Sequence, residues 1–221
     1  MDTNFISLPK TFRMIGACTF ILAILTVLLS ALAYYPTNPG FSIFSTYLSD
    51  IGDTPGWPQI LFNSGTLLAA PLRYIIVVLV VLRIRSFSDS RKSFETAVLM
   101  IGAISTIGTV LMTAVPFSTS PAIHKTGIGL YFLGVVFLQI SIGIKELSIK
   151  HLPRSLPIWS FAIVTCCLLF FILMILLEIG NVGRNAPVFW EWMCFFTSMG
   201  WLLWHSIILG KDKNSEKERS D

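Results

Sequence analysis

Residues 158–179 read IWSFAIVTCCLLFFILMILLEI, with Glu178 near the far end as the single charged side chain. A helix of that length rises about 33 Å, enough to cross a hydrocarbon layer of about 30 Å. The apolar run does not alternate and is too long for a barrel strand. It predicts a membrane-crossing helix. Working outward, five further stretches have the same character: residues 14–34, 58–82, 94–115, 124–144 and 188–209. The breaks between them are polar or proline-marked, as helix ends should be. The expected fold is all-α: a polytopic membrane protein, a six-transmembrane-helix bundle filling residues 1–210. A short charged tail, residues 211–221, follows, and it reads as a solvated end.

Composition agrees. Apolar residues make up 54% of the 221 positions and charged residues 13%, where a soluble domain carries about 25% charged. Mean hydropathy is +0.74. This excludes a soluble enzyme, a disordered chain and a secreted disulfide scaffold. The net charge of +4 is spread over loops, not gathered on an amphipathic face, so no nucleic-acid partner is expected. Lys and Arg lie overwhelmingly on one side of the six spans. Only Lys125 and Arg184 fall on the other, and Arg73 lies inside a span. The positive-inside rule then puts both termini in the cytoplasm. The expected location is an integral multi-pass one, the cell membrane if the source is prokaryotic.

The first span ends in Ala31-Leu32-Ala33, which resembles a signal-peptidase site, but its apolar run exceeds the usual signal core of about 7–15 residues. A retained helix is expected. Trp57, Trp190 and Trp192 fall near outer ends and Trp159 near an inner end, the interfacial depth that indoles prefer. Cys18, Cys166, Cys167 and Cys194 all lie in apolar runs, with no metal-ligand spacing, and read as buried packing residues.

The longest outer connection, residues 35–57, reads YPTNPGFSIFSTYLSDIGDTPGW. Its Pro, Gly, Asn and Asp content predicts turns. Its aromatic and aliphatic residues predict a structured loop or half-buried helix. Ser49 and Asp50 followed by Gly52 read as a local turn, with Asp50 accepting backbone hydrogen bonds; a ligand-binding carboxylate is the alternative. Asp53, His124, Glu178, Arg184 and Glu191 share that depth, either as a hydrated rim or as a pocket beneath the loop. Glu191 also suits a first helical turn through the helix dipole. Asn63, early in the second span, predicts a hydrogen bond to a neighbouring helix or loop.

Arg73 is the one cation deep in a span. An ionised side chain there costs roughly 2.5–3.5 kcal/mol on insertion scales and is a functional-site hypothesis by default. Snorkelling to the headgroups is the alternative. Gln139 and Ser or Thr hydroxyls lie at a depth where they can accept from it. His205, fourteen residues after Glu191, reads as a packing histidine at a depth similar to that of Arg73. Gly102, Ser105, Thr106, Thr109 and Thr113 form a small-residue stripe suited to close helix contact inside the bundle.

Ser49-Asp50-Ile51-Gly52, then Phe62-Asn63, resembles the membrane family named domain of unknown function 998. The order of that element, PFSTSPAIHKTGIGLYF around His124, and Glu191-Trp192 also resembles the wider DRAM/Frag/Sfk group of six-span proteins, over roughly residues 10–210. The resemblance implies membrane-lipid handling as a theme and Asp50, His124 and Glu191 as a set. It implies no mechanism.

The candidate polar site is therefore Ser49, Asp50, Asn63, Arg73, His124 and Glu191, with no catalytic residue identified. No cofactor and no metal are expected. Membrane lipids are the expected partner, held in an outer-leaflet cleft of apolar walls and a few polar groups. Two alternatives stay open. A metal-dependent intramembrane hydrolase needs about three protein ligands, and no H-x-x-x-H or H-E-x-x-H occurs. A small transporter would use broken helices and intramembrane charge, for which Arg73 beside Pro71 is the hint. Oligomeric state is not readable from the sequence.

Overall fold

The computed structural model describes residues 8–88 and 91–211. Among these residues there are seven helices: α1 (Leu8–Tyr34), α2 (Leu48–Asp53), α3 (Trp57–Phe87), α4 (Lys92–Ala114), α5 (Pro121–Ser148), α6 (Ser155–Glu178) and α7 (Asn185–Leu209). Six of them are long and apolar enough to cross a membrane. Most extend a few residues past the expected spans, because a helix carries on into the headgroup region wherever its backbone stays satisfied. Of the tail, only Lys211 lies within the described residues.

The six long helices form a closed ring in chain order. α1 packs on α3, α3 on α4, α4 on α5, α5 on α6 and α6 on α7, and α7 returns to α1. α3 also touches α7 across the ring, and α2 rests on α1 and α3. Ile21, Leu25, Leu28 and Leu32 of α1 face outward, as does Cys18. Cys18 therefore departs from the expected buried role. It shares the outward face of α1, while Cys166, Cys167 and Cys194 are buried as expected.

Small residues set the closest approach. A Cβ added to Gly108 of α4 would lie 2.4 Å from the Tyr131 backbone nitrogen, and one added to Gly127 of α5 would lie 2.5 Å from that of Met112. Ser105 packs on Gly134 and donates to the Tyr131 carbonyl at 3.2 Å. The small-residue stripe of α4 thus serves the bundle.

The end of the ring away from α2 is tied by buried polar groups. Glu146 and His205 are fully buried and approach to 2.8 Å. His205 Nδ1 donates to the Trp201 carbonyl at 2.8 Å, and Ser160 links Glu146 to the Trp201 indole. His205 is a packing histidine, as its position predicts, but its carboxylate partner is not visible in sequence. Arg83, counted among the loop charges, is instead buried at 7% exposure. It donates to the Leu209 carbonyl at 2.6 Å and the Lys211 carbonyl at 2.9 Å, which closes the C-terminal end of α7. There, a Cβ on Gly210 would meet the Pro9 carbonyl oxygen at 3.1 Å, so the start of α1 and the end of α7 touch.

Candidate functional site

The connection between α1 and α3 folds back over the ring. Its centre, Leu48–Asp53, is a helical turn and a half, so the Ser49-Asp50-Ile51-Gly52 element is helix and not the expected local turn. Asp50 Oδ2 accepts from the Tyr47 backbone N–H at 2.9 Å, closing the start of α2. The same oxygen pairs with Arg184, whose guanidinium stacks 4.9 Å from the Tyr47 ring. Burial, helped by Glu191 and Asp50 and opposed by Arg184, pushes the Tyr47 phenol up to about 12.

Gly52 is required by contact. A Cβ there would lie 2.7 Å from Phe62 Cδ1 and 2.8 Å from Asn63 Oδ1. Asn63 Nδ2 donates to the Gly52 carbonyl at 3.0 Å, so the expected partner of this amide is α2. Asp53 accepts from the Ser118 backbone N–H at 3.0 Å and hydroxyl at 2.6 Å, fastening α2 to the α4–α5 loop.

Glu191 and Trp192 hold the same segment from α7. Glu191 Oε2 accepts from the Leu48 N–H at 2.6 Å, and Ser49 stands beside that carboxylate. Glu191 therefore caps α2, whose first N–H groups have no partner within their own helix. The Trp192 indole donates to the Thr46 carbonyl at 2.8 Å. Trp192 is 3% exposed, so it is a core residue and not an interfacial one.

Beneath α2 lies a cavity of about 120 Å³. Ser49, Asn63, Arg73, His124 and Glu191 all line it, and so does Asp53; Asp50 does not. The polar groups nominated from sequence are thus gathered by the fold, except that Asp50 turns to Arg184. Apolar walls come from Val27, Phe62, Ile128, Phe132 and Phe195. His124 is 6% exposed, and its Nδ1 approaches the Val115 carbonyl at 3.0 Å. A carbonyl only accepts, so Nδ1 carries a proton, and a neutral ring then has its lone pair on Nε2.

Arg73 faces inward from α3. It donates to Thr109 Oγ1 at 3.2 Å and lies 5.7 Å from the centre of the Tyr131 ring. It also lines a second, adjoining cavity of about 70 Å³ with Thr109, Ser105 and Gln139. The hydroxyl partner anticipated for Arg73 is Thr109. Gln139 is 4% exposed, and its carbonyl oxygen has no hydrogen-bond partner.

Sequence reasoning passed over Tyr131, Thr66 and Ser198, which share the first cavity. Tyr131 follows His124, and Ser198 follows Glu191, by seven residues, which is two turns on one helix face. Asn63, Thr66 and Arg73 stand at spacings of three and seven, and that stripe was available to find them. Among the described residues, no three His, Cys, Asp or Glu converge as a metal-holding group. The donor set that zinc catalysis needs is not assembled there. α3 continues as helix through Pro71, without the unwound stretch of a discontinuous transporter helix.

Family models match residues 10–207 to the Frag1/DRAM/Sfk1/Cwh43P N-terminal domain. No curated protein and no solved structure matches the chain. The match carries the wider of the two resemblances and not the narrower, domain of unknown function 998. With six membrane-spanning helices and a family match over nearly its whole length, the chain belongs to the Frag1/DRAM/Sfk1/Cwh43P N-terminal domain family of multi-pass membrane proteins.

Proposed function

We propose that the protein binds a membrane lipid or related amphiphile in the cavity beneath α2. The observation that carries this reading is one cavity in which apolar walls from Val27, Phe62 and Phe132 meet the polar groups of Asn63, Arg73, His124 and Glu191. Amphiphile sites have that make-up: extensive apolar surface with a few placed polar groups that fix orientation. The excess of basic residues at the opposite end supports placing the cavity in the outer leaflet. The polar groups orient the headgroup, and His124 Nε2 offers it an acceptor.

The test is native mass spectrometry of the full chain after mild extraction. Wild type is expected to carry a lipid through detergent exchange. Thr66→Phe, which projects a ring into the cavity, is expected to lose it while keeping its melting temperature within a few degrees. Lipid-free wild type, or equal retention by a folded Thr66→Phe protein, would overturn the proposal.

A further inference from the structure

Resting on that reading, the geometry points to Arg73 as the residue that binds an oxyanion group, a carboxylate or a phosphate, of the bound amphiphile. Arg73 stands where the two cavities adjoin and lines both. Among the described residues it has no ion-pair partner: its described contacts are the Thr109 hydroxyl and the Tyr131 ring and hydroxyl. The carboxylate sharing the larger cavity, Glu191, is engaged by Leu48 and Ser49 of α2. A guanidinium presents five N–H donors in a planar fork suited to two oxygens at once. One of those donors goes to Thr109, and the side chain lines both cavities.

The surroundings favour an anion over a second neutral contact. A cation within the hydrocarbon depth is expensive unless something compensates it, and the neutral hydroxyl and ring in place compensate it only in part. The Ser105, Thr106 and Thr109 hydroxyls that line the smaller cavity already donate to the Tyr131, Gly102 and Ser105 carbonyls, so the guanidinium is the donor an oxyanion would meet there. Gln139 lines the smaller cavity as well, and its unpartnered carbonyl is an acceptor for a hydroxyl of the same headgroup. The larger cavity supplies the apolar walls for the ligand's chain. The two cavities together thus match an amphiphile with a compact acidic head better than one with a bulky zwitterionic head.

The experiment measures melting temperature and affinity for the purified full chain in a neutral maltoside detergent. The probes are oleate, oleyl alcohol, oleoyl lysophosphatidate and inorganic phosphate. Oleate and the lysophosphatidate are expected to stabilise wild type more than oleyl alcohol does. Arg73→Gln is expected to weaken the acids about tenfold or more while sparing the alcohol. Arg73→Lys should recover part of that loss, and Lys150→Gln, at the exposed opposite end, should change nothing. Oleyl alcohol binding wild type as well as oleate does would overturn the oxyanion assignment and leave amphiphile binding standing. No shift with any of the three amphiphiles would overturn the amphiphile reading itself. Inorganic phosphate alone reproducing the full effect would keep the anion site but overturn its lipid source. The comparison within wild type decides the oxyanion preference even if Arg73→Gln does not fold, and Arg73→Lys then tests the residue.

Discussion

Glu191 shows what a single side chain does here. It could pass for a first-turn carboxylate placed to suit the helix dipole of α7, yet its oxygens reach to another helix, at the start of α2. Replacing it tests that role. Glu191→Gln keeps one acceptor oxygen and should lose little stability. Glu191→Leu leaves the Leu48 N–H without its partner, at a cost of about 1–3 kcal/mol, and should loosen residues 42–54 specifically. Hydrogen exchange read alongside melting temperature checks this; equal protection of that segment in both variants would refute the capping role. The sequence pattern pointed to Glu191 and His124 by their common depth and to Asn63 as an amide early in its span, and all three line one cavity. It pointed to Asp50 as well, and there local pattern was insufficient. Successive residues of a helix differ by about 100° in direction, so Ser49 and Asp50 face different ways. Only the position of Arg184, 134 residues away in the chain, shows which of them turns outward.

Among elements, the long helices were legible because hydrophobic length alone marks a membrane span. α2 was legible only as a structured stretch. Six residues cannot sustain a helix by propensity, and this one exists because Asp50, Glu191 and Asn63 satisfy its ends. The tightest helix pair, α4 with α5, depends on Gly108 and Gly127, which the stripe of Ser and Thr residues did not single out. An added methyl at either glycine meets backbone, which cannot swing aside as a side chain can. Gly108→Ala and Gly127→Ala should each destabilise the bundle by about 1–3 kcal/mol or more, as overpacking does. Gly129→Ala, on the same helix with nothing within 4 Å, should be neutral or slightly stabilising through helix propensity. Thermal unfolding in detergent separates these; a Gly108→Ala protein as stable as Gly129→Ala would show the contact to be relaxed.

For the whole molecule, six crossings put the start of α1 and the end of α7 on the same side, and we propose from the asymmetry of Lys and Arg that this side is the cytoplasm. Introduced cysteines at Ser86→Cys and Thr37→Cys should therefore label from opposite faces of sealed cells, Thr37→Cys from outside. Labelling of both from one face would reject the arrangement. The number of crossings could be read from hydropathy, but their neighbours could not, since apolar helices surrounded by lipid have no hydrophobic preference among partners. The closing contact of α1 with α7 rests on particulars such as Gly16 against Ser206. That closure has a topological consequence. Neighbours in space are neighbours in chain order all the way round, and the loose ends of α1 and α7 meet. The polypeptide therefore has no privileged starting helix. A circular permutant that joins these ends with a short linker and opens instead at the turn after α5 would thread the same ring, with its new termini still on their original side of the membrane.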